Sequence, residues 1–262
     1  MGRFAVILPA AGRSSRFGDP TRKKIDMDLD GRAVWLRSLD PFLNNDDVGQ
    51  IIVAIAEGDR EAFDRRHRDA VAFLGLDVVL GGAERADTVA SALGKVKDSC
   101  DFVAVHDAAR PCVTPALVAA VFAAALERGA AMPAIPVAET IKRVGEDGLI
   151  AETVPRDRLF LAQTPQVFRR DWLVEAYAKR DPAGPAATDD ARLVEAIGRP
   201  IAIVPGSPFN LKITTRDDLT LARAVLGALE QEKPSAAGGP FDDAPESWRD
   251  LPKVRPSDLF ND

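Results

Sequence analysis

The residues best suited to chemistry follow the first apolar run of the chain, in a turn of small side chains and cations. The turn follows residues 4–8 and reads Pro9-Ala10-Ala11-Gly12-Arg13-Ser14-Ser15-Arg16-Phe17-Gly18. Small residues let the backbone approach a ligand closely, and successive N–H groups can bind phosphate oxygens. The stretch 13–24 contains one acid, Asp19, and five cations, Arg13, Arg16, Arg22, Lys23 and Lys24. We therefore predict a phosphate site whose backbone cradle is Ala10, Ala11 and Gly12.

The charge balance of the whole chain makes this cluster of cations informative. The chain has 262 residues, a formal net charge of −6 and a sequence pI near 5.1. General nucleic-acid binding depends on neutralising many phosphates with Lys and Arg, so an acidic chain argues against it. The sequence contains neither Gly-x-Gly-x-x-Gly nor Gly-x4-Gly-Lys-Ser/Thr after this strand. The turn therefore lacks the dinucleotide fingerprint and is not a P-loop.

A second group of candidate residues follows the apolar run at 102–105. Asp107 stands just after this predicted strand, and a carboxylate there can bind Mg²⁺ or the hydroxyl groups of a ligand. Arg110 either contacts a substrate or orients Asp107, and a purely structural ion pair is an equal alternative. We expect a structural role for His106, because nothing in the sequence marks a partner for general-base catalysis.

Strand and helix patterns alternate along the chain and must position these candidates. Short apolar runs predict buried strands at 4–8, 51–55, 78–80, 102–105 and 131–137. Helical patterns appear at 33–43, 60–72, 86–96, 115–128 and 216–229. Suitable capping residues are Thr114, Gly129, Thr215 with Asp218, and, for one further helix, Asp189 and Asp190. We therefore predict an α/β fold with a single Rossmann-like, mostly parallel sheet and helices on both faces.

The pattern changes after residue 137 and again near the C-terminus. Two strand candidates, 138–144 and 149–154, flank the turn signal Gly145-Glu146-Asp147-Gly148. They predict an inserted β-hairpin arm at about 138–156, for which an ordinary edge hairpin is the alternative. Residues 231–262 contain five prolines and seven acidic residues and are predicted to form a disordered tail. We divide the chain into one domain at 1–230 and this tail.

The cellular setting is predicted from the cysteines and the apolar runs. The two cysteines, Cys100 and Cys112, do not indicate a disulfide framework in a chain of this length. The apolar run at 4–8 is too short for a signal peptide or a membrane span. We expect a cytoplasmic protein that binds neither membranes nor nucleic acid.

Five further segments accompany the phosphate turn in a defined order: Gly81-Gly82-Ala83-Glu84-Arg85-Ala86-Asp87-Thr88, Val105-His106-Asp107-Ala108-Ala109-Arg110-Pro111, Thr164-Pro165-Gln166, Thr188-Asp189-Asp190 and Asn210-Leu211-Lys212. Over about residues 3–229, this set resembles the sugar-nucleotidyltransferase superfamily and, within it, the methylerythritol phosphate cytidylyltransferase family. The resemblance implies transfer of the cytidylyl group of CTP to 2-C-methyl-D-erythritol 4-phosphate, with release of pyrophosphate and Mg²⁺ as cofactor. It also implies a homodimer in which each arm reaches the neighbouring subunit.

The resemblance further implies roles for individual residues. It implies contacts with the reacting phosphates, and hence catalysis, for three cations: Arg16, Lys24 and Lys212. It implies that the nucleotide is bound by Ala10, Ala11, Gly12, Gly82, Thr88 and Asp107, with Gly82 and Thr88 at the cytosine. The sugar-phosphate side is implied to comprise Asp107, Arg110, Thr140, Arg156, Thr164 and Thr188. Plain structural alternatives are a back-bonded Thr88, an edge-strand Lys212 and an exposed hairpin Arg156.

The chain departs from the family pattern beside the implied active lysine. Where the family has glutamine and an aromatic residue, this chain has Ile25 and Asp26. Either Lys23 or Lys24 is therefore the active lysine, and the spacing to Gly31 favours Lys24. Two other functions fit the sequence. One is a ribitol 5-phosphate cytidylyltransferase, and the other is a non-catalytic nucleotide-binding regulator.

Overall fold

The helices and strands are defined by a computed structural model that describes residues 3–12, 17, 23–181, 184 and 187–231. The strands are β1 (Phe4–Pro9), β2 (Asp28–Leu29), β3 (Arg32–Ala33), β4 (Val48–Ile55), β5 (Asp77–Leu80), β6 (Phe102–Val105), β7 (Ala130–Pro136), β8 (Ile141–Val144), β9 (Ile150–Val154), β10 (Phe160–Ala162), β11 (Gln166–Arg169) and β12 (Ala202–Pro205). The helices are α1 (Val34–Leu43), α2 (Arg60–Phe73), α3 (Arg85–Leu93), α4 (Pro115–Arg128), α5 (Arg170–Ala178), α6 (Ala191–Ala196) and α7 (Arg216–Gln231).

The first half of the chain builds the parallel part of the central sheet. Its strand order is β5-β4-β1-β6, and every neighbouring pair in it is parallel. The carboxyl ends of parallel strands lie at one edge of a sheet, and ligands of open α/β sheets bind there. The segments that follow β1, β5 and β6 are therefore brought together, and these are the segments that contain the phosphate turn, Gly82 and Asp107.

The second half of the chain adds a mixed part to the same sheet. β11 lies antiparallel between β6 and β7, β10 is antiparallel to β7, and β12 is parallel to β7. The predicted mostly parallel sheet with helices is confirmed, but the sequence patterns did not predict β10, β11 or β12. These strands are only three or four residues long, too short for a clear periodicity.

The strands alternate in the face to which they direct their side chains, and helices cover both faces. Phe4, Val6 and Leu8 of β1 pack in the core formed with α1, α2 and α4. Ala5 and Ile7 face the opposite core, which α3, α5 and α6 cover. Both faces of β1 are buried, and this explains why its sequence is a continuous apolar run without polar alternation.

The helix ends show how far local patterns determine the structure. The predicted α4 is confirmed: Thr114 accepts a hydrogen bond from the N–H of Leu117, and Gly129 ends the helix with a φ of 85°. The predicted helix at 86–96 is too long, since α3 ends at Leu93. Gly94 is the C-cap residue, and Gln50 of β4 holds the segment that follows, because its amide group bonds to the carbonyl of Lys95 and the N–H of Lys97.

The predicted hairpin is confirmed as a separate two-stranded sheet. β8 and β9 pair antiparallel, and Ile141 lies opposite Val154. Most side chains of the hairpin are exposed, including Val144, Leu149 and Ile150 at 56%, 67% and 66%. This hairpin is called the arm below. Among the described residues, nothing covers the apolar side chains at its tip.

α7 closes the end of the fold beside the phosphate turn. Leu219, Ala222 and Leu226 pack in a third core, which also contains Phe17 and Ile213. The predicted capping box is confirmed: the Thr215 N–H donates to Asp218 at 2.8 Å, and the Asp218 N–H donates to Thr215 at 3.3 Å. Within the described ranges, no helix is both long and apolar enough to cross a lipid bilayer. Residues 232–262, which make up nearly all of the predicted tail, lie outside the described residues.

Candidate active site

A cavity of about 390 Å³ opens at the carboxyl edge of the parallel strands. Its walls include the phosphate turn, the Gly82–Thr88 segment, Lys23, Asp107 and Lys212. The Ala10 N–H donates to the carbonyl of Ala54 at 2.7 Å, so this donor is already used within the sheet. The backbone cradle predicted for the turn is thus reduced to Ala11 and Gly12. Arg16, with residues 13–15 and 18–22, lies outside the described part of the chain.

Lys23 and Lys24 both line this cavity, at a 3-10 turn formed by residues 24–26. The ammonium of Lys23 forms an ion pair with Asp59. The departure from the family pattern has a structural explanation here. Asp26 accepts a hydrogen bond from Arg66 at 3.1 Å and lies 3.0 Å from Nε2 of His67. The carboxylate therefore attaches the lysine turn to α2, while Ile25 is buried in the core.

The Gly82–Thr88 segment folds tightly over the start of α3. A Cβ on Gly82 would lie 2.3 Å from the Cβ of Asp87, so a side chain at this position requires the segment to move. The Thr88 hydroxyl donates to the carbonyl of Glu84 at 3.0 Å. Thr88 therefore makes the local side-chain bond to a backbone carbonyl that was its structural alternative. Its oxygen keeps lone pairs that can accept a further hydrogen bond, and the residue lines the cavity.

Asp107 is the electrostatic centre of the site. Its carboxylate is 2.9 Å from Nζ of Lys212, 3.3 Å from Nε of Arg110 and 3.9 Å from Nε of Arg85. Burial alone would raise the pKa of Asp107, but the charges of Lys212, Arg85 and Arg110 outweigh it and hold the pKa well below its usual value. Asp107 is therefore ionised across the neutral range.

A smaller cavity of about 190 Å³ adjoins the first. Three residues line both cavities, namely Arg85, Asp107 and Lys212. Arg110 lines the smaller one and bonds to Asp107 and, at 2.7 Å, to the carbonyl of Asn210. Both alternatives for Arg110 are therefore compatible with the structure, since its ion pair with Asp107 orients that carboxylate at the cavity wall.

Thr164 and His106 support Asp107 from behind. The Thr164 hydroxyl accepts a hydrogen bond from the Asp107 N–H at 3.0 Å and lies 3.1 Å from Nδ1 of His106. Burial lowers the pKa of His106 to about 4, and its Nε2 lies 3.3 Å from the carbonyl of Arg110. The neutral ring thus donates from Nε2 and accepts at Nδ1. His106 has the structural role expected of it, and Thr164 lines the smaller cavity with its hydroxyl directed at protein atoms.

The Thr188–Asp190 segment reaches the smaller cavity, but its acids do not both act as helix caps. Thr188 and Asp189 line the cavity, and Asp189 caps α6 by accepting from the N–H of Arg192 at 3.2 Å. Asp190 stands at the N-cap position of α6, so the prediction that the two acids start a helix is confirmed. Its side chain, however, is fully buried, makes no cap bond and binds Arg85 at 2.7 Å. The sequence did not predict this second role, because Arg85 lies 105 residues away.

Thr140 and Arg156 are not brought into this site within one chain. Both are exposed at the base of the arm, and Arg156 donates to the carbonyl of Ala138. Among the residues that line the two cavities in the described part of the chain, neither is present. If these residues contact a substrate, they must therefore do so in the cavities of a second copy of the chain, or after a movement of the arm.

Comparison with known proteins agrees with the geometry of the cavities. Residues 4–228 match the model of the family described as 2-C-methyl-D-erythritol 4-phosphate cytidylyltransferase (IspD). A protein of that name from Rhodopirellula baltica is 41% identical over 239 residues, covering 87% of this chain and 96% of the relative. One from Frankia casuarinae is 46% identical over 228 residues, covering 86% and 81%. The chain belongs to this family.

Solved structures of cytidylyltransferases share the fold over most of the chain. The Thermus thermophilus 2-C-methyl-D-erythritol 4-phosphate cytidylyltransferase matches with a TM-score of 0.71 and 35% identity, covering 85% of this chain and 98% of that one. The Francisella tularensis protein of the same name matches with a TM-score of 0.68 and 29% identity, covering 86% and 100%. The arrangement of the sheet and helices is therefore that of a cytidylyltransferase of this family.

Sequence reasoning missed two features of this cytidylyltransferase site. Arg85 belongs to the Gly81–Thr88 segment, yet nothing in the sequence indicated that it would line both cavities. Asn210 anchors the segment before Lys212, since its side chain donates to the carbonyl of Thr164 at 2.9 Å. A buried Asn beside an active lysine is a signal that could have been used, whereas the position of Arg85 depends on contacts distant in sequence.

Proposed function

We propose that this chain transfers the cytidylyl group of CTP to 2-C-methyl-D-erythritol 4-phosphate, giving 4-diphosphocytidyl-2-C-methyl-D-erythritol and pyrophosphate. One observation carries the proposal. Two cavities meet at a wall that contains Asp107, Lys212 and Arg85. Such a junction suits a reaction between two phosphorylated ligands, because the cations can neutralise charge where the ligands meet. Membership of the family identifies the pair of ligands.

The reaction that we assign to this junction is a direct displacement. A phosphate oxygen of the sugar-alcohol phosphate attacks the α-phosphorus of CTP, and the bond from that phosphorus to the β-phosphate bridging oxygen breaks. Pyrophosphate leaves with the bonding electron pair. The nucleophile is already an anion at neutral pH, since the second pKa of a phosphate monoester is about 6. No general base is needed, and this agrees with the neutral, buried His106.

Charge neutralisation and positioning are then the tasks of the protein. Lys24 and Lys212 line the larger cavity and are assigned to the triphosphate and the reacting phosphorus. Arg16, from the undescribed part of the turn, is assigned to the same group by its position in the family motif. Arg110 and Thr188 line the smaller cavity and are assigned to the sugar-phosphate side, where a guanidinium and a hydroxyl suit its oxygens. Thr164 also lines this cavity, but its hydroxyl bonds to Asp107 and His106, so it is assigned to the positioning of Asp107.

The hydrogen-bond state of Thr88 supports cytosine as the base. Its hydroxyl donates to the carbonyl of Glu84 at 3.0 Å, so the oxygen of this cavity-lining residue has only lone pairs left for a further hydrogen bond. The exocyclic amine of cytosine is a donor that can pair with such an oxygen. The corresponding carbonyl of uracil would place two acceptors against each other, which costs free energy in a desolvated site. Gly82 provides the close backbone approach that a flat base needs.

Mg²⁺ fits this site as an ion bound chiefly by the substrate. Within the described residues, no cluster of three or more His, Cys, Asp or Glu side chains is suited to hold a metal ion. Mg²⁺ commonly uses one or two protein carboxylates together with nucleotide phosphates. Glu84 and Asp107 line the larger cavity, and Asp189 lines the smaller one. Asp107 is the carboxylate that lines both and is ionised, so it is the residue that would hold the ion. When bound, Mg²⁺ would neutralise phosphate charge.

We also propose a homodimer formed through the arm. The exposed Val144, Leu149 and Ile150 make an apolar surface that a second copy can cover. In such a dimer, Thr140 and Arg156 of each chain are assigned to the sugar phosphate in the smaller cavity of the other. A cytoplasmic location fits the two free, buried cysteines, since reduced thiols are usual in that compartment.

The function is tested with the purified full chain, Mg²⁺ and pairs of substrates. We expect pyrophosphate release with CTP and 2-C-methyl-D-erythritol 4-phosphate, at least about a hundredfold lower kcat/KM with UTP, and weak turnover of ribitol 5-phosphate. A preference for ribitol 5-phosphate would reassign the second substrate. Binding of CTP without pyrophosphate release under any of these conditions would identify the chain as a nucleotide-binding regulator.

The shared site is tested by mixing two impaired variants. We expect Arg156→Ala and Lys212→Ala to be nearly inactive alone, because one lacks the arm contact and the other the cavity lysine. After subunit exchange, about a quarter of all sites combine an intact arm with an intact cavity, and activity returns to about a quarter of wild type. A control mixture of Lys212→Ala with the Arg156→Ala/Lys212→Ala double variant should stay inactive. If the first mixture also stays inactive, the arm does not act between subunits.

A further inference from the structure

A fully buried carboxylate lies behind the junction of the two cavities and has no role in the reaction as described so far. Asp190 has no exposed surface. One of its oxygens accepts from a terminal nitrogen of Arg85 at 2.7 Å, and the other accepts from the Tyr177 hydroxyl at 2.6 Å. Gln166 accepts from the N–H groups of Asp190 and Ala191 at 3.2 and 3.0 Å. The position of this carboxylate is thus fixed from three directions.

Arg85 extends from this buried carboxylate to the reacting centre. Its Nε lies 3.9 Å from the carboxylate of Asp107, and the residue lines both cavities. About a quarter of its side chain, 26%, is exposed. Burial alone would lower the pKa of Arg85, but Asp190 and Asp107 outweigh it and raise the pKa above its usual value. The guanidinium is therefore a permanent cation with one end anchored in protein and another side open to ligand.

We propose that Arg85 is a further substrate-contacting residue, which binds the attacking phosphate of the sugar-alcohol phosphate at the junction. We also propose that Asp190 and Tyr177 are positioning residues that act through Arg85. The inference rests on the proposed function. A planar guanidinium can bond to Asp190 through one edge and offer its other N–H groups to phosphate oxygens, which a lysine ammonium does with much poorer geometry.

The surroundings explain why Asp190 must carry a charge. A single Arg85 beside Lys212 and Arg110 would be repelled by like charges in a partly buried site. Asp190 and Asp107 together provide two negative charges for these three cations. The Asp190–Arg85 ion pair also joins the segment that lines the nucleotide cavity to the segment that contains Thr188. One contact thereby sets the relative position of the two substrate-binding segments.

The proposal is tested by steady-state kinetics of Arg85→Lys, Arg85→Gln, Asp190→Asn and Tyr177→Phe, at saturating CTP. For Arg85→Lys and Asp190→Asn we expect kcat/KM for the sugar phosphate to fall about 10- to 100-fold, with the Kd of CTP changed less than about threefold. Tyr177→Phe should lose about three- to fivefold, because it removes one of several groups that hold Asp190. Asp190→Glu, which keeps the charge, should retain more activity than Asp190→Asn.

A double-mutant cycle separates positioning from general damage to the fold. If Asp190 acts through Arg85, then Asp190→Asn should have almost no further effect in the Arg85→Gln background. An undiminished loss in that background would overturn the positioning role. Normal kcat/KM in Arg85→Lys would overturn the contact. The matched control is Arg170→Lys, because Arg170 forms an ion pair with Asp98 at 2.7 Å at the opposite end of the strands; it should have wild-type kinetics.

The outcomes also separate this inference from the proposed function itself. If the wild-type chain makes no cytidylyl product, the proposed function fails before Arg85 is examined. If the wild type is active and Arg85→Lys matches it, only the role of Arg85 fails. Thermal unfolding of each variant completes the test. A variant that is unfolded at the assay temperature is replaced by Tyr177→Phe, whose small change in volume leaves the packing of α5 nearly intact.

Discussion

Lys212→Ala is expected to lower kcat by about two to three orders of magnitude while the protein remains folded. The ammonium of Lys212 lies 2.9 Å from Asp107 and lines both cavities, so it stands where the two substrates must meet. Removing one preorganised group that stabilises developing charge typically costs 10²–10³-fold in rate. The position of Lys212 is fixed on either side, by Asn210 bonded to Thr164 and by the Ile213 N–H bonded to the carbonyl of Ala109 at 2.8 Å.

The loss should be one of charge neutralisation and not of Asp107 ionisation. Arg85 and Arg110 remain beside the carboxylate of Asp107 in this variant, so we expect it to stay charged at neutral pH. The dependence of kcat on pH between about 6 and 9 should therefore keep its shape while its height falls. Lys179→Ala is the matched control, because Lys179 forms an exposed helix pair with Glu175. A kcat of Lys212→Ala within threefold of that control would remove Lys212 from the mechanism.

The sequence predicted the parallel half of the sheet because each of its strands is buried on both faces. Such strands are continuous apolar runs, and β1 and β6 were located almost to the residue. The helix α4 was predicted equally well, since its capping residues are adjacent to it in sequence. In the mixed half, β7 was predicted, but β10, β11 and β12 were missed because these short strands are defined by pairing with β7 or β6 and not by a sequence pattern of their own.

The same distinction between local and distant causes applies to the site. The position of Asp107 after a buried strand predicted a ligand role, and the family resemblance implied ligand roles for Gly82, Thr188 and Lys212; all four residues line the cavities. The roles of Asp190 and Asp26 could not be predicted in this way. Asp190 is defined by Arg85, and Asp26 by Arg66 and His67 on α2. Asp190 stands at a helix start and Asp26 departs from the family pattern. The function of each side chain depends on a partner that is distant in sequence.

The second large effect is a difference between the two lysines of the turn, Lys23 and Lys24. Lys24→Ala is expected to lower kcat/KM for CTP by about a hundredfold or more, whereas Lys23→Ala should lose less than about fivefold. Both residues line the larger cavity. Lys23 already has its charge paired with Asp59, a residue that lies at the start of α2. A lysine that holds the turn on α2 contributes to the position of its neighbour, and the spacing to Gly31 and the family motif assign the triphosphate to Lys24.

The comparison is internally controlled, because the two variants remove the same side chain from adjacent positions. Asp59→Asn provides the third measurement. It weakens the attachment of Lys23, and if that attachment only supports the turn, its effect should be as small as that of Lys23→Ala. Initial rates at varied CTP, with the sugar phosphate saturating, give all three values. If Lys23→Ala proved to be the severe variant and Lys24→Ala the mild one, the active lysine would be Lys23, and the Lys23–Asp59 ion pair would have to open when the nucleotide binds.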